Sequence, residues 1–294
     1  MDTTTTNNDT EDGREAPFEG PVPDDRTSEW GPVVDLGRQA VRLFPLQLSD
    51  FARRGFLVVR NAMSLDDLRP MLDEAKRTET FDAGRPPTGR MWTTKDVDSK
   101  EGRHHFLKGG LLHGIIMQIL QNPPAGNFAT QYAFQWQSEP NEPDYRHIDG
   151  GYPAGLPGMT SYKLMVGVLL TEVKGHEDGA LRVWPGSHLD ALYRYRQLTS
   201  PTVDAVVKGD LEVYGQGCLI TGAIGTVVIC HPLLLHGISP RTKEGCRIVA
   251  YTRLHYQPER AGSPAERFPS FETPWAGLTV EVENAGRGAE RQRQ

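Results

Sequence analysis

The sequence predicts a mainly β fold with flanking helices, a double-stranded β-helix of the jelly-roll, cupin-like kind. Three observations carry that expectation. Short segments rich in β-branched and aromatic residues recur from residue 56 to residue 256, separated by turns containing Gly and Pro. Clear helical periodicity is confined to a few stretches in the first half of the chain. A His-x-Asp pair, His147 and Asp149, lies in one strand-like segment, and a third histidine, His236, ends an apolar stretch far downstream.

Taken in order, residues 1–30 are polar, acidic and broken by Pro17, Pro21 and Pro23, a composition that predicts a disordered tail. Residues 283–294 read the same way, which leaves 31–282 as one domain. Leu48 to Arg54 reads as a short helix capped by Ser49 and stopped by Gly55, leading into the strand Phe56 to Val59. Ser64 to Asp67 resembles a capping box for a second helix with Leu68, Met71, Leu72 and Ala75 on its apolar face. Pro70 lacks a backbone donor and so predicts a kink or a later start.

Residues 82–110, with Gly84, Pro86, Pro87 and Gly89, read as a long loop of the kind that serves as a lid. Arg90, Trp92 and Lys95 could face a substrate there, although the simpler reading is a surface loop. Leu111 to Leu120 is a buried helix in which His113 packs rather than ligates. Phe128 to Gln137 is a strand with Gln135 and Gln137 on one face and Phe134 and Trp136 on the other; the sequence leaves open which face turns inward.

The residues suited to chemistry lie between His147 and Arg247. Alternate side chains of a strand share a face, so His147 and Asp149 can reach one ion while Ile148 packs behind them. His236 can bring the third donor at the end of the apolar stretch from Ile224 to Leu235, whose β-branched core reads as a buried strand. Two imidazoles and a carboxylate form the facial triad of non-haem Fe(II) oxygenases, which leaves other coordination positions open. A His-x-Asp pair alone is a weak signal; its strand-like flanks and a distal histidine give it weight. The turn formers from Ser239 to Gly245 then place Arg247 near the start of a strand expected to run antiparallel to the one carrying His236. A guanidinium there is a bidentate partner for a small dicarboxylate.

Asp178 to His188 carries Gly-x-Leu-x-x-x-Pro-Gly-Ser-His, and with the triad it resembles the phytanoyl-CoA dioxygenase family of Fe(II)/2-oxoglutarate-dependent oxygenases. The resemblance extends over residues 43 to 256, beginning with the helix, glycine stop and strand around Phe51 to Ala62. It implies that His147, Asp149 and His236 bind Fe(II) and that Arg247 holds the distal carboxylate of 2-oxoglutarate. It further implies a dioxygenase that uses dioxygen as cosubstrate, releases succinate and CO2, and most simply hydroxylates an unactivated C–H bond of a small metabolite. Several relatives use a serine two residues after the distal histidine as a second anchor; here that position is Ile238 and the hydroxyl belongs to Ser239. Lys163, in the apolar segment Ser161 to Leu170, is an alternative anchor, or it extends outward. His188 and His231 read as structural. Halogenating relatives carry a small residue at the position of Asp149, so hydroxylation or a related oxidation is expected and halogenation is not. The alternative from the residues alone is a cupin-like metal-dependent hydrolase or isomerase that does not use dioxygen.

Composition narrows the partners. An apolar share of 37% over 294 residues suffices for one sizeable core. The net charge of −6 argues against a nucleic-acid surface, and no stretch approaches the ~18 apolar residues of a membrane span. Cys218, Cys230 and Cys246 are odd in number and lie in strand-like segments, which points to reduced thiols. A cytoplasmic enzyme, monomer or homodimer, acting on a small-molecule substrate is the expectation.

Overall fold

The structure, a computed structural model, describes residues 33–35, 43, 45–78, 89–92, 112–120, 130–138, 145–149, 162–191 and 217–255. Both predicted tails and Lys95 lie outside these residues, as do the side chains of Trp92 and Lys163.

Two sheets face each other. Strands β1 (Val33–Asp35), β2 (Phe56–Arg60), β3 (Arg90–Trp92), β4 (Thr130–Gln135), β6 (Tyr162–Leu169), β9 (Val227–Cys230) and β11 (Arg247–His255) form the larger sheet, in the order β1-β2-β9-β6-β11-β4-β3. Strands β5 (Tyr145–His147), β7 (Leu181–Val183), β8 (Cys218–Ile220) and β10 (His236–Ile238) form the smaller, in the order β5-β10-β7-β8. Apart from the parallel β1–β2 pair, all neighbours are antiparallel. This is the expected jelly roll.

Strand alternation divides the core in two. Phe56, Ala133, Met165, Leu169, Val228 and Val249 project from the large sheet toward Leu181, Val183, Ile220 and Ile238 of the small one. Their neighbours Leu57, Phe134, Val166, Ile229 and Ile248 turn to the opposite face, against Phe51, Leu68, Met71, Ile115 and Ile119 of the helices. Both faces of the large sheet are therefore buried, which is why its strands read as nearly continuous apolar runs. The question left open at β4 resolves here: Gln135 shares the interior face with Ala133, whereas Phe134 and Trp136 stack at 5.8 Å in the helix-covered layer.

The helices are α1 (Pro45–Arg54), α2 (Leu65–Thr78) and α3 (His113–Leu120). Helix α1 starts before the expected Ser49 cap, because Pro45 is well suited to a first turn where its missing N–H has no intrahelical role. Gly55 ends it with φ 82°, donating its N–H to Phe51 O at 2.7 Å. The capping box of α2 forms as expected: Ser64 N–H donates to Asp67 Oδ2 (2.9 Å) and Asp67 N–H to Ser64 Oγ (3.2 Å). The predicted later start does not occur. Exposed Pro70 sits within α2, where burial of Leu68, Met71 and Ala75 offsets the backbone bond it cannot make.

Three further expectations are corrected. Part of the presumed loop, Arg90 to Trp92, is the edge strand β3 paired with β4. The β-branched core before His236 is the buried strand β9, but it does not deliver His236: β9 ends at Cys230 in the large sheet, the chain turns, and β10 begins at His236 in the small sheet. Arg247 does open a strand, but β11 pairs with β4 and β6 and not with β10. From β8 to β11 each strand crosses to the sheet opposite the one before it, so proximity in sequence did not mean pairing there.

Candidate metal centre

The crossing of sheets builds the site. In the small sheet β10 pairs with β5 so that His236 stands directly opposite His147, their ring centroids 4.3 Å apart. Asp149, two residues beyond His147, extends its carboxylate between the two rings: Oδ1 is 3.4 Å from His147 Nε2 and 3.6 Å from His236 Nε2. The three donor atoms lie within 4.8 Å of one another, and this is the metal-ligand cluster found among the described residues. Ile148 is buried behind them, as strand alternation requires.

The ligands are held from behind. His236 Nδ1 lies 2.9 Å from Leu234 O, and a carbonyl can only accept, so Nδ1 carries a proton and Nε2 is the ring atom turned to the centre. The carboxylate has its own tether, for Arg253 donates from Nε (3.0 Å) and Nη2 (2.8 Å) to Asp149 Oδ2. Burial alone would raise the Asp149 carboxyl, but hydrogen bonds from His147 and His236 and the charges of His236 and Arg253 outweigh it and hold it well below the usual carboxylate range. Two imidazole nitrogens and one carboxylate oxygen on one side of an ion suit Fe(II).

The Pro-Gly-Ser-His turn supports this arrangement without joining it. Ser187 Oγ accepts from Leu235 N–H (2.9 Å) and Trp184 N–H donates to Leu235 O (3.1 Å), which fixes the chain one residue before His236. His188 donates from Nε2 to Ala52 O at 2.8 Å and packs tilted against His231, ring centroids 4.9 Å apart. His231 Nδ1 in turn accepts from Leu233 N–H. Both histidines are structural, as expected.

Arg247 faces the same interior from the opposite sheet, 1% exposed. Its Nη2 donates at 3.2 Å to the Oη of Tyr251, an even number of residues further along the same strand face. Nε and Nη1 have no hydrogen-bond partner among the described residues, and neither do two buried acceptors, Gln135 Oε1 and Ser239 Oγ. Gln135 stands directly opposite Arg247 on β4. A buried guanidinium without an acid is costly, so its open N–H groups fit an incoming carboxylate.

Other sequence candidates have different fates. Ile238 points into the interior apolar cluster, so the position where relatives carry a serine is a hydrocarbon wall. Lys163 sits in β6 where the register with β11 shifts, Leu164 and Tyr162 pairing with Leu254 and His255. Arg90 donates to Ile238 O at 2.9 Å and so braces the end of β10. His113 lies on α3 and belongs to no metal-ligand cluster of the described residues. Arg253 was not singled out from the sequence; the signal available was its even spacing from Arg247, which puts both on one face.

Comparison with known proteins agrees with this geometry. The family model described as Phytanoyl-CoA dioxygenase (PhyH) matches residues 51–249. By sequence, no curated protein matches the chain. Among solved structures, HygX from Streptomyces hygroscopicus with nickel and 2-oxoglutarate bound aligns with a TM-score of 0.52 at 16% identity, over 74% of this chain and 88% of that one. EctD from S. alaskensis with bound Fe gives 0.52 at 20% identity, over 78% and 82%. The non-heme alpha ketoglutarate dependent carbocyclase SnoK from nogalamycin biosynthesis gives 0.52 at 17%, over 81% and 94%. No helix among the described residues is long and apolar enough to cross a membrane. From the family match and the triad together, the chain belongs to the phytanoyl-CoA dioxygenase family of Fe(II)/2-oxoglutarate-dependent oxygenases.

Proposed function

We propose that this protein oxidises, by hydroxylation, an unactivated C–H bond of a small-molecule metabolite, consuming 2-oxoglutarate and dioxygen and releasing succinate and CO2. The observation that carries the reading is the convergence of His147 Nε2, His236 Nε2 and Asp149 Oδ1 in one barrel with the buried Arg247. Bound iron would supply oxygen activation coupled to decarboxylation of the 2-oxo acid. The chain's own residues do the rest. His147, Asp149 and His236 hold the metal on one side only, and Arg247 receives the distal carboxylate of 2-oxoglutarate. Tyr251, whose Oη accepts from Arg247, would donate its hydroxyl hydrogen to that carboxylate, with Lys163 as a further candidate anchor. Met165, Leu169, Val249 and Ile238 give the interior an apolar lining that excludes water.

A small-molecule substrate is supported by a HygX structure with nickel, 2-oxoglutarate and hygromycin B bound, aligned at a TM-score of 0.51 and 17% identity. Because Asp149 occupies the third ligand position, chloride has no freed site and the product carries oxygen rather than halogen. Residues 31–282 form the one catalytic domain in this reading, working in the cytoplasm as a monomer or homodimer without nucleic acid. The test is succinate release from 2-oxoglutarate stimulated by members of a metabolite pool. It is expected to need Fe(II) and oxygen and to vanish in His147→Ala; turnover that persists anaerobically with zinc would replace the proposal with a hydrolase or isomerase.

A further inference from the structure

Asp149 is the one ligand of the triad with two donor atoms, and they are treated differently. Oδ1 faces both imidazoles, while Oδ2 is gripped by two N–H groups of the Arg253 fork. The third arm of that fork, Nη1, donates to Gln131 Oε1 at 3.1 Å, so the guanidinium is itself fixed by β4. Arg253 lies on β11 and Asp149 just beyond β5, and the contact therefore joins the large sheet to the small one at the metal centre. Side-chain exposures of 24% and 11% leave the pair partly buried rather than sealed in the core.

This matters because of how coordination positions are counted. Two imidazoles and one carboxylate oxygen occupy three positions of a six-coordinate ion, and a chelating 2-oxo acid and dioxygen need the other three. A carboxylate free to rotate can bind through both oxygens and take one of those positions. Two N–H bonds converging on one oxygen oppose that rotation, since Oδ2 would have to surrender both charge-assisted bonds to reach the ion. A lysine ammonium in the same place supplies the charge but not the planar fork.

Resting on the oxygenase reading above, we propose that Arg253 is a positioning residue that keeps Asp149 a one-oxygen ligand and thereby preserves the coordination position the cosubstrate needs. Gln131 sets the orientation of Arg253. Neither residue touches the reacting atoms.

The experiment loads the full chain anaerobically with Co(II), follows its ligand-field absorption, then titrates 2-oxoglutarate, for the parent, Arg253→Met, Arg253→Lys and Gln131→Leu. The parent is expected to bind Co(II) and then 2-oxoglutarate. Arg253→Met should still take up Co(II) but show an altered ligand-field spectrum and bind 2-oxoglutarate about tenfold more weakly, the lower end of the loss typical for partners of metal ligands. Arg253→Lys, which keeps the charge and the long stem and guards against a folding defect in the methionine variant, should share most of that loss. Gln131→Leu should show a smaller change of the same sign. The inference is overturned if Arg253→Lys matches the parent in spectrum and 2-oxoglutarate affinity, or if Arg253→Met does so. A parent that binds neither Co(II) nor 2-oxoglutarate would overturn the oxygenase reading itself, a distinct result.

Discussion

The molecule contains two histidine pairs of nearly equal spacing and opposite use. His147 and His236 lie 4.3 Å apart, face a carboxylate, and turn an Nε2 each toward one point. His188 and His231 lie 4.9 Å apart, but their ring nitrogens go to backbone groups: His188 to Ala52 O and His231 to Leu233 N–H. Proximity of imidazoles therefore does not make a metal site. What separates the pairs is where the second nitrogen goes. Leu234 O takes the Nδ1 proton of His236 and frees the far side of the ring, whereas Ala52 O engages the outer nitrogen of His188 and leaves only Nδ1 against Gly55.

The largest expected effect breaks the first pair. His147→Ala should retain the fold yet lose 2-oxoglutarate turnover by more than the ~10–100-fold that a partner of a ligand costs, measured as succinate release. The matching change in the second pair, His188→Gln, should leave metal binding intact.

Acid sharpens the same contrast. Complete burial, only partly countered by the Ala52 carbonyl and Asp190, pushes His188 down from 6.5 to about 4. Between those values the unfolded chain holds a proton that the folded one refuses, so stability is undiminished above pH 6.5 and declines as pH falls toward about 4. The full decline attributable to this ring is on the order of 3 kcal/mol. Urea unfolding at pH 7 and pH 5 should show it, and His188→Gln should flatten the slope; an unchanged slope in that variant would assign the acid sensitivity elsewhere.

Arg247→Met should raise the 2-oxoglutarate concentration for half-saturation about tenfold or more, from the ~1.5–3 kcal/mol of a charge-assisted hydrogen bond, while Fe(II) binding changes little. Unaltered dependence on 2-oxoglutarate would remove Arg247 from the cosubstrate site. Smaller again is Gly55→Ala. A left-handed residue with a Cβ costs ~1–2 kcal/mol, and here the Cβ would also come within 2.5 Å of His188 Nδ1, so thermal unfolding should move down without loss of bound metal.

The sequence made the triad legible because its signals are local: an i, i+2 pair on a strand and a histidine at the end of an apolar stretch. Arg247 was legible as a residue but not in its sheet. The turn from Ser239 to Gly245 suggested a hairpin, while the fold sends β10 and β11 to facing sheets, and that placement turns Arg247 into the interior between them. Edge strand β3 was hidden because three residues carry no periodicity, and its partner β4 lies far along the chain. Arg253 escaped notice for a similar reason. Its bond to Asp149 spans 104 positions, and no local pattern encodes a contact that depends on two sheets closing.

Anaerobic equilibrium dialysis against Fe(II), comparing the parent with His147→Ala and His188→Gln, tests the central claim most directly. The account predicts one tightly held ion per chain in the parent, the same in His188→Gln, and none in His147→Ala. Equal iron content in the parent and His147→Ala, or none in the parent, would contradict it.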